Sequence, residues 1–344
     1  MTGSDILKDL IQWNKLISWV DEIKDKNHST AAALLIMKDN EVLLEHYSGK
    51  HSNTKDARQI DHQSRFNVAS ARKSYLGLAV AFAIHEGKIK SLDDYAADYF
   101  EDMDPDLLGE TTIRHLVTHS HGLDEYINGN LIREFEPGEK WAYRGVNIVM
   151  MTKLIHHVYG KSFPELLKER VFKPLGFSKT WWEISDSEEL VSVIVNPENE
   201  GERALGTSED GLDKNLFVNT REFAEWGNLF LNKGKVYGQQ SVPEAVIEMA
   251  TTIQNPSYSD KELPQNGFFW FVQDEPRERS EIGSRVPRGS YQILGVTGPT
   301  LLVIPEYNVV VAKMYNKRYN YGGEHYLYYL KEFSNLVADS FDKN

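Results

Sequence analysis

The stretch VASARKSYLG, residues 68–77, places Ser70 and Lys73 three positions apart at the start of a strongly apolar segment. The side chains from residue 75 to residue 84 are nearly all apolar, which predicts a buried helix over residues 71–85. Gly87 stands where such a helix would stop. Because residues i and i+3 share one face of a helix, Lys73 is predicted to reach the Ser70 hydroxyl.

The start of a buried helix is a favourable place for a serine nucleophile. Free N–H groups and a partial positive charge at the helix N-terminus favour the anion that forms when an alkoxide attacks a carbonyl. Burial would also lower the pKa of Lys73 and make it a usable base. The same spacing recurs in a polar loop and at the C-terminus. Taken alone, the spacing of Ser70 and Lys73 therefore favours a serine cap followed by a surface lysine, and further motifs are needed to indicate a hydrolase.

The composition describes a globular chain with excess negative charge. The 344 residues are 41% hydrophobic, enough for two structural regions. A net charge of −13, from 51 acidic and 38 basic residues, disfavours binding to nucleic acid. The absence of cysteine excludes disulfides, thiolate metal sites and a cysteine nucleophile. We see neither a signal peptide nor an 18-residue apolar run, so we expect no membrane span and a cytoplasmic location.

Strand patterns lie at both ends of the chain and helix patterns lie between them. An amphipathic N-terminal helix precedes residues 30–49, where two apolar runs flank a turn and predict a β-hairpin. The runs GFFWFVQ, TLLVIP and NVVVAKMYN predict strands before a C-terminal helix. We therefore predict an α+β fold, with an antiparallel sheet from both chain ends, flanking terminal helices and an inserted, mostly helical region. The predicted sheet domain comprises residues 1–66 and 266–344, and the helical domain residues 67–265.

Six collinear stretches resemble the serine β-lactamase and penicillin-binding-protein superfamily, in its class C-like branch. They are the Ser70-Ala-Arg-Lys73 motif, EGKIKSLDDYAADYF (86–100), TIRHLVTHSHGL (112–123), EPGEKWAYRGVN (136–147), VFKPLGFSKT (171–180) and the closing strand segments from GFFWFV to NVVVAKMYN. The resemblance runs from about residue 30 to residue 316. It implies a β-lactamase/transpeptidase-like fold and a serine hydrolase that works through an acyl-enzyme.

The resemblance assigns Tyr143 to the tyrosine of the family's second motif, Tyr-x-Asn. There the phenol relays a proton among the serine, the lysine and the leaving group. Gly145 occupies the asparagine position, so a donor that helps to place the lysine and a substrate carbonyl is missing. Asn147 lies two residues further on and points elsewhere. The resemblance thus implies Ser70, Lys73 and Tyr143 as catalytic residues, with Gly145 at the substrate.

The third motif, Lys- or His-Thr/Ser-Gly in the family, is not intact. Counting back from Pro305 with the spacing typical of the family gives the register Ile293-Leu294-Gly295. Keeping the Thr-Gly pair of the motif gives Val296-Thr297-Gly298 instead. In the family, the residue after the glycine donates its N–H to the oxyanion hole, beside the N–H of the serine. Pro299 cannot donate in the second register, so we favour the first. It predicts oxyanion donors at Ser70 and Val296, and substrate contacts at Ile293, Leu294 and Gly295.

These departures bear on the substrate. In the family, the third motif grips a substrate carboxylate with its cation and hydroxyl. Ile293 and Leu294 offer neither, which favours an uncharged ester or amide over a penicillin or D-Ala-D-Ala, unless Arg72 or Arg144 supplies the charge. We therefore predict a serine hydrolase for a small-molecule ester or amide, with no cofactor and no metal.

Two alternatives stay open at this point. One is a β-lactamase or a D-Ala peptidase-type penicillin-binding protein, and the other is a non-catalytic binding or sensor relative on the same fold. His115, His119 and His121 have a spacing that would suit a metal, but we interpret them as structural, because the matching family segment contains a histidine without a metal. The oligomeric state is left open.

Overall fold

The computed structural model describes residues 3–125, 129–318 and 325–342, with the backbone alone for residues 3–12. Its α-helices are α1 (Gly3–Asn27), α2 (Lys73–His85), α3 (Pro105–Leu108), α4 (Ile113–Val117), α5 (Val146–Tyr159), α6 (Phe163–Leu167), α7 (Lys173–Leu175), α8 (Thr220–Leu231), α9 (Glu244–Thr251) and α10 (Tyr326–Phe341). Its 3₁₀ turns are Ala69–Arg72, Ala96–Asp98 and Pro305–Tyr307, and a π-helical turn spans Lys168–Phe172.

The strands are β1 (Ala31–Lys38), β2 (Glu41–Gly49), β3 (Arg65–Asn67), β4 (Leu123–Glu125), β5 (Leu131–Arg133), β6 (Trp181–Trp182), β7 (Leu216–Asn219), β8 (Lys235–Val236), β9 (Gln239–Gln240), β10 (Phe271–Val272), β11 (Tyr291–Leu294), β12 (Thr300–Ile304) and β13 (Val309–Tyr315). Six of them form the main sheet, in the order β10-β11-β12-β13-β1-β2. All of its neighbouring strands are antiparallel.

The main sheet joins the two ends of the chain. The predicted hairpin is confirmed, and Asp39 and Asn40 both have positive φ in its turn, at 54° and 69°. Two left-handed residues match the twist of the flanking strands, so the turn closes without splaying them. β1 then pairs with β13, where Leu35 lies opposite Ala312. The predicted α+β fold, with its sheet built from both ends, is confirmed.

The two faces of the sheet bury two separate apolar cores. Alternate side chains along β1 enter opposite cores, because successive residues of a strand point to opposite faces. One core lies under α1 and α10, and the other lies between the sheet and the helical region. On α8, a Cβ at Gly227 would stand 2.7 Å from a methyl group of Val310. The glycine therefore lets α8 approach the sheet closely.

Helix α2 lies at the centre of the molecule, and its residues are buried from Lys73 to Ala83. It is fastened to α8 by the rings of Tyr75 and Trp226, which stack with centroids 4.0 Å apart. The Trp226 Nε1 also donates a hydrogen bond to the Ser74 hydroxyl over 3.0 Å. Since α8 packs on the sheet, these contacts determine where the start of α2 lies relative to the strands.

The structure corrects the sequence analysis at two places. The α-helix begins at Lys73 rather than at Ala71, because Ala69–Arg72 form a 3₁₀ turn. A second sheet, β3-β7-β6, was not predicted, since strands of two to four residues are too short to show a period. The domain boundaries after residues 66 and 265 stay a prediction. Within the described ranges, no helix combines the length and apolar character that crossing a membrane requires.

Candidate active site

Ser70 lies on a sharp turn between a strand and a helix. β3 ends at Asn67, whose side-chain oxygen accepts a hydrogen bond from the Ala69 N–H over 2.9 Å. Ala69 has a φ of 46°, a conformation that a residue with a Cβ keeps only when its surroundings hold it. Thr297 adds to this support by donating its hydroxyl to the Asn67 carbonyl over 2.9 Å. Ser70 is thereby presented, half-buried, at the start of α2.

Lys73 is buried, and its ammonium nitrogen donates a hydrogen bond to the Tyr143 hydroxyl over 2.5 Å. The expected direct hydrogen bond from Lys73 to Ser70 is not formed; the Tyr143 hydroxyl interacts with the Ser70 side chain instead. Burial lowers the pKa of Lys73 well below its ordinary value, and the positive charges of Arg72 and Lys214 act in the same direction. These effects favour the neutral amine.

Tyr143 joins the site from the segment before α5. The residue is 41% exposed, but its hydroxyl is buried against Lys73 and Ser70. Burial raises the pKa of this phenol to about 12, and the contact with Ser70 opposes the rise. The phenol therefore keeps its proton at neutral pH.

The ring of Tyr143 rests on His119, with centroids 4.8 Å apart. His119 is held in turn by Asn147, whose side-chain nitrogen lies 3.1 Å from His119 Nδ1. The same nitrogen of Asn147 donates to the Leu116 carbonyl over 2.7 Å. The expectation that Asn147 points away from the substrate is confirmed.

A cavity of about 640 Å³ opens beside Ser70, Lys73 and Tyr143. Gly145 lines it, and no atom lies within 4 Å of the position that a Cβ would take there. The space that an asparagine would fill in the family's second motif is therefore open. Much of the remaining wall is apolar, with Phe100, Met103, Leu131, Val149 and Leu212 among its residues.

The end of β11 lies on another side of Ser70. A Cβ at Gly295 would stand 2.2 Å from the Val68 carbonyl oxygen, so this glycine abuts the nucleophile turn. Ile293 is 2% exposed within the core, Leu294 is half-buried, and Val296 is 37% exposed directly after the glycine. Gly295 is thus in contact with the turn that carries Ser70, and the register Ile293-Leu294-Gly295 stays a prediction.

The residues of the competing register are engaged elsewhere. Thr297 is buried and bonded to Asn67, as described above. A Cβ at Gly298 would meet the side chain of Tyr315 at 2.5 Å, in the body of the sheet. Neither residue is placed to face a substrate at Ser70. The oxyanion role of Val296 stays a prediction.

The sequence analysis missed Glu281, which precedes β11 in a loop. Its Oε2 atom is inaccessible to solvent and has no hydrogen-bond partner in the structure. Burial raises the pKa of this carboxyl to about 8, against the opposing influence of Lys73. The Gln292 side chain donates to the Glu281 carbonyl over 3.0 Å and holds the loop on β11. An isolated glutamate in a polar loop carries no sequence signal that could have revealed this position.

The three histidines of the segment 112–123 serve separate local structures. His115 Nδ1 accepts from the Thr112 N–H over 3.1 Å, and His121 Nδ1 accepts from the Leu123 N–H over 3.0 Å. His119 is bonded to Asn147, as described above. Across the described part of the chain, no group of three or more histidine, aspartate or glutamate side chains is placed to hold a metal ion.

Comparison with known proteins places this site in a family, because the Beta-lactamase family profile matches residues 16–333. The chain belongs to the Beta-lactamase family. An uncharacterised protein of Alkalihalophilus pseudofirmus is 40% identical over 326 residues, which cover 95% of this chain and 96% of that protein. Penicillin-binding protein 4* of Bacillus subtilis is 24% identical over 186 residues, which cover 46% of this chain and 39% of that protein.

A solved structure with the same fold is EstCE1, described as a hydrolase with promiscuous acyltransferase activity. It matches with a TM-score of 0.76 at 16% identity and covers 96% of this chain and 100% of its own. At that identity the match shows the fold alone. The predicted resemblance to the β-lactamase and penicillin-binding-protein superfamily is confirmed, and the Beta-lactamase family is one of serine hydrolases.

Proposed function

We propose that this member of the Beta-lactamase family hydrolyses an ester or amide bond of a small molecule through an acyl-enzyme on Ser70. One observation carries the proposal. The buried Lys73 amine is hydrogen-bonded to the Tyr143 hydroxyl, beside Ser70 and on the wall of a 640 Å³ cavity. A nucleophile, a base and a proton relay in contact are the parts that acyl transfer requires.

The charge states assign the roles in acylation. Lys73 is the base, because its lowered pKa favours the neutral amine, and Tyr143 keeps its proton and relays between Lys73 and Ser70. As the proton of Ser70 moves through the phenol to Lys73, the Oγ atom bonds to the substrate carbonyl carbon. The oxyanion that forms accepts hydrogen bonds from the backbone N–H groups of Ser70 and Val296. The bond to the leaving group then breaks, and the same proton returns through Tyr143 to that group.

Deacylation repeats these steps with water as the nucleophile. The water loses a proton through Tyr143 to Lys73 while its oxygen bonds to the acyl carbon. The bond between that carbon and the Ser70 Oγ then breaks, and Ser70 recovers the proton. The free acid leaves, and the three side chains return to their starting protonation states.

Two features support an ester or simple amide as the bond that is cleaved. Ile293 takes the place of the third-motif cation and is buried, so this end of β11 offers no charge to a substrate carboxylate. Gly145 leaves open the place of the second-motif asparagine. EstCE1, described as a hydrolase with acyltransferase activity, is a protein of the same fold with that class of chemistry. A cytoplasmic location remains part of the proposal.

Intact-mass spectrometry with a fluorophosphonate probe tests the proposal. We expect one adduct on the wild type and none on Ser70→Ala. Ser52→Ala is the matched control, because Ser52 also precedes a lysine by three residues but lies in a polar loop, and it should keep the adduct. Esters, amides and β-lactams are then screened for turnover.

The other outcomes of this experiment are equally informative. A missing adduct on the wild type would refute an activated serine. An adduct together with a stable acyl-enzyme and no turnover would favour a binding or sensor protein. Turnover of β-lactams but of no ester or amide would favour a β-lactamase.

A further inference from the structure

The cavity beside Ser70 contains a buried cation without a partner. Arg72 lines this cavity and is 4% exposed, and its Nε hydrogen has no acceptor. Among the residues that the structure describes, no carboxylate lies within ion-pairing distance of its guanidinium. Burial lowers the pKa of Arg72 to about 10. A buried charge is costly unless it is paired, so this position calls for a counter-ion.

A second cation of the cavity, Lys214, adds to its excess of positive charge. Lys214 lies at the exposed edge, just before β7, and its ammonium has no ion pair within the described ranges. Burial and then the charge of Arg72 lower the pKa of Lys214, and burial followed by the charges of Arg72 and Lys214 lowers the pKa of Lys73. The three positive groups therefore lie close enough to repel one another.

The nearby carboxylates leave this charge uncompensated. Asp213 attracts Arg72 from a distance but forms no ion pair with it, and its Oδ2 atom accepts from the N–H and the hydroxyl of Thr207 over 2.6 and 2.9 Å. Asp102 and Glu125 lie at the exposed rim of the cavity and form no ion pair with Arg72. Glu281 influences Lys73 and Tyr143 but is not part of the cavity wall.

The remaining arginine of the cavity is already neutralised. Arg144 pairs with Asp124 and Glu134, each at 2.9 Å. Lys153 is exposed on α5, and, unlike that of Lys214, its charge does not act on Lys73 or Arg72. Arg72 and Lys214 are thus the cations of the cavity that a bound anion would stabilise most.

We propose that this cavity receives a carboxylate group of the substrate and that Arg72 and Lys214 bind it. The proposal rests on the proposed function and names its substrate class. The planar guanidinium suits a carboxylate, which it can engage with two parallel hydrogen bonds. The apolar wall formed by Phe100, Met103 and Leu212 suits the hydrocarbon segment between that carboxylate and the scissile bond.

This subsite is separate from the strand on which the third motif falls. Among the described residues, the lining of the cavity contains none from β11 or from residues 295 and 296. The carboxylate would therefore bind on the helical side of Ser70, away from the buried Ile293. The proposed substrate is therefore an ester or amide with no charge near the end of β11 and with a carboxylate in the part that enters the cavity.

Two pairs of esters test this inference. The first compares 4-nitrophenyl hydrogen glutarate with its methyl ester and so varies charge in the acyl part. The second compares the butyrate ester of 3-hydroxybenzoate with that of methyl 3-hydroxybenzoate and varies charge in the leaving group. We expect kcat/KM to favour the anion by about 10- to 100-fold in one pair. No preference for the anion in either pair would overturn the proposal.

Variants then assign the preference to residues. Arg72→Met and Lys214→Met should each reduce the anion preference by about tenfold or more, and high salt should weaken it in the wild type. Lys235→Met removes one positive charge from the β8-β9 hairpin and should keep the preference. Lys214 is exposed, so Lys214→Met remains informative if Arg72→Met fails to fold. A preference unchanged in Lys214→Met and in folded Arg72→Met would overturn the proposal.

Calorimetry separates failure of the subsite from failure of the proposed function. Monomethyl glutarate is titrated into Ser70→Ala and into Ser70→Ala/Lys214→Met, which requires no turnover. Weaker binding to the double variant supports the subsite even if no ester is hydrolysed, whereas absence of binding to both overturns it. Absence of turnover of all four esters, with binding retained, would refute the proposed hydrolase alone.

Discussion

Gly295, at the end of β11, packs against the backbone of Val68, two residues before Ser70. A Cβ at position 295 would stand 2.2 Å from the Val68 carbonyl oxygen, closer than van der Waals contact permits. The adjacent Ala69 has a left-handed backbone conformation. The strand and the nucleophile turn are therefore in direct contact, and any side chain at 295 must displace one of them.

Gly295→Ala is expected to reduce kcat/KM for a chromogenic ester by about 100-fold, because displacements near 1 Å in a catalytic site have costs of that size. Gly145→Ala adds a methyl group at the wall of the cavity, where φ is an ordinary −96° and the Cβ would meet no atom within 4 Å. It should displace no backbone, so we expect a smaller loss than in Gly295→Ala. Equal losses in the two variants would contradict the importance of the contact with Val68.

Tyr143→Phe removes the hydroxyl that bridges Lys73 and Ser70. We expect kcat/KM to fall by about 100- to 10,000-fold, the range for loss of a proton-transfer group. The melting temperature should change little, because the ring can still stack on His119. Tyr237→Phe, at a tyrosine that is 92% exposed, should leave activity unaltered. Wild-type rates in Tyr143→Phe would exclude the relay.

The pH dependence of kcat/KM for a neutral ester reports on Lys73. Activity should rise with pH as Lys73 loses its proton, with a midpoint below the ordinary lysine value of 10.5. Lys214→Met removes a positive charge near Lys73. The loss of this charge makes protonated Lys73 more stable, so the rise in activity should move to higher pH. Lys235→Met should leave it in place. A shift to lower pH in Lys214→Met would contradict the assignment of Lys73 as the base.

Glu281 should make stability depend on pH. Burial raises its pKa from 4.5 to about 8, so the folded state holds a proton there that the unfolded state has released. The stabilisation is complete below pH 4.5 and is lost as pH rises through 8. The free energy of unfolding is therefore measured with denaturant at pH 5 and pH 9. The stability of Glu281→Gln relative to the wild type should be higher at pH 9 than at pH 5. Each unit of pKa difference corresponds to about 1.4 kcal/mol. A constant difference between the two pH values would contradict this effect.

Lys313 should have the opposite dependence. It is 3% exposed between the sheet and α10, and burial lowers its pKa to about 7. The ring of Phe333, 4.4 Å from its ammonium, offsets part of that cost. The folded state resists protonation of Lys313, so its stability falls as pH falls from 10.5 through 7. Thermal melts should show Lys313→Met more stable than the wild type, with a larger gain at pH 6 than at pH 10. A gain independent of pH would indicate a packing effect instead.

The parts of the site that depend on short spacings could be predicted from the amino-acid sequence. Ser70 and Lys73 are three residues apart, and Tyr143 stands in a recognisable segment. The two apolar runs on either side of the turn at residues 38–40 predicted the hairpin. For the third motif, the inability of Pro299 to donate favoured the register that places Gly295 before Val296, and that register stays a prediction. These features are local, because side-chain period, turn chemistry and donor count are properties of a few consecutive residues.

The arrangement of charges in the site could not be predicted from the sequence, because it depends on the tertiary fold. Arg72 and Lys214 line one cavity, and Glu281 influences Lys73 from another side, although the chain separates these residues widely. The short strands β3 and β6 likewise form by pairing with β7, although both lie far from it in the chain. The protonation state of each group depends on burial and on neighbours brought together by folding. Burial and neighbours are set by contacts between residues that are far apart in the chain, so the protonation states cannot be predicted from the sequence alone.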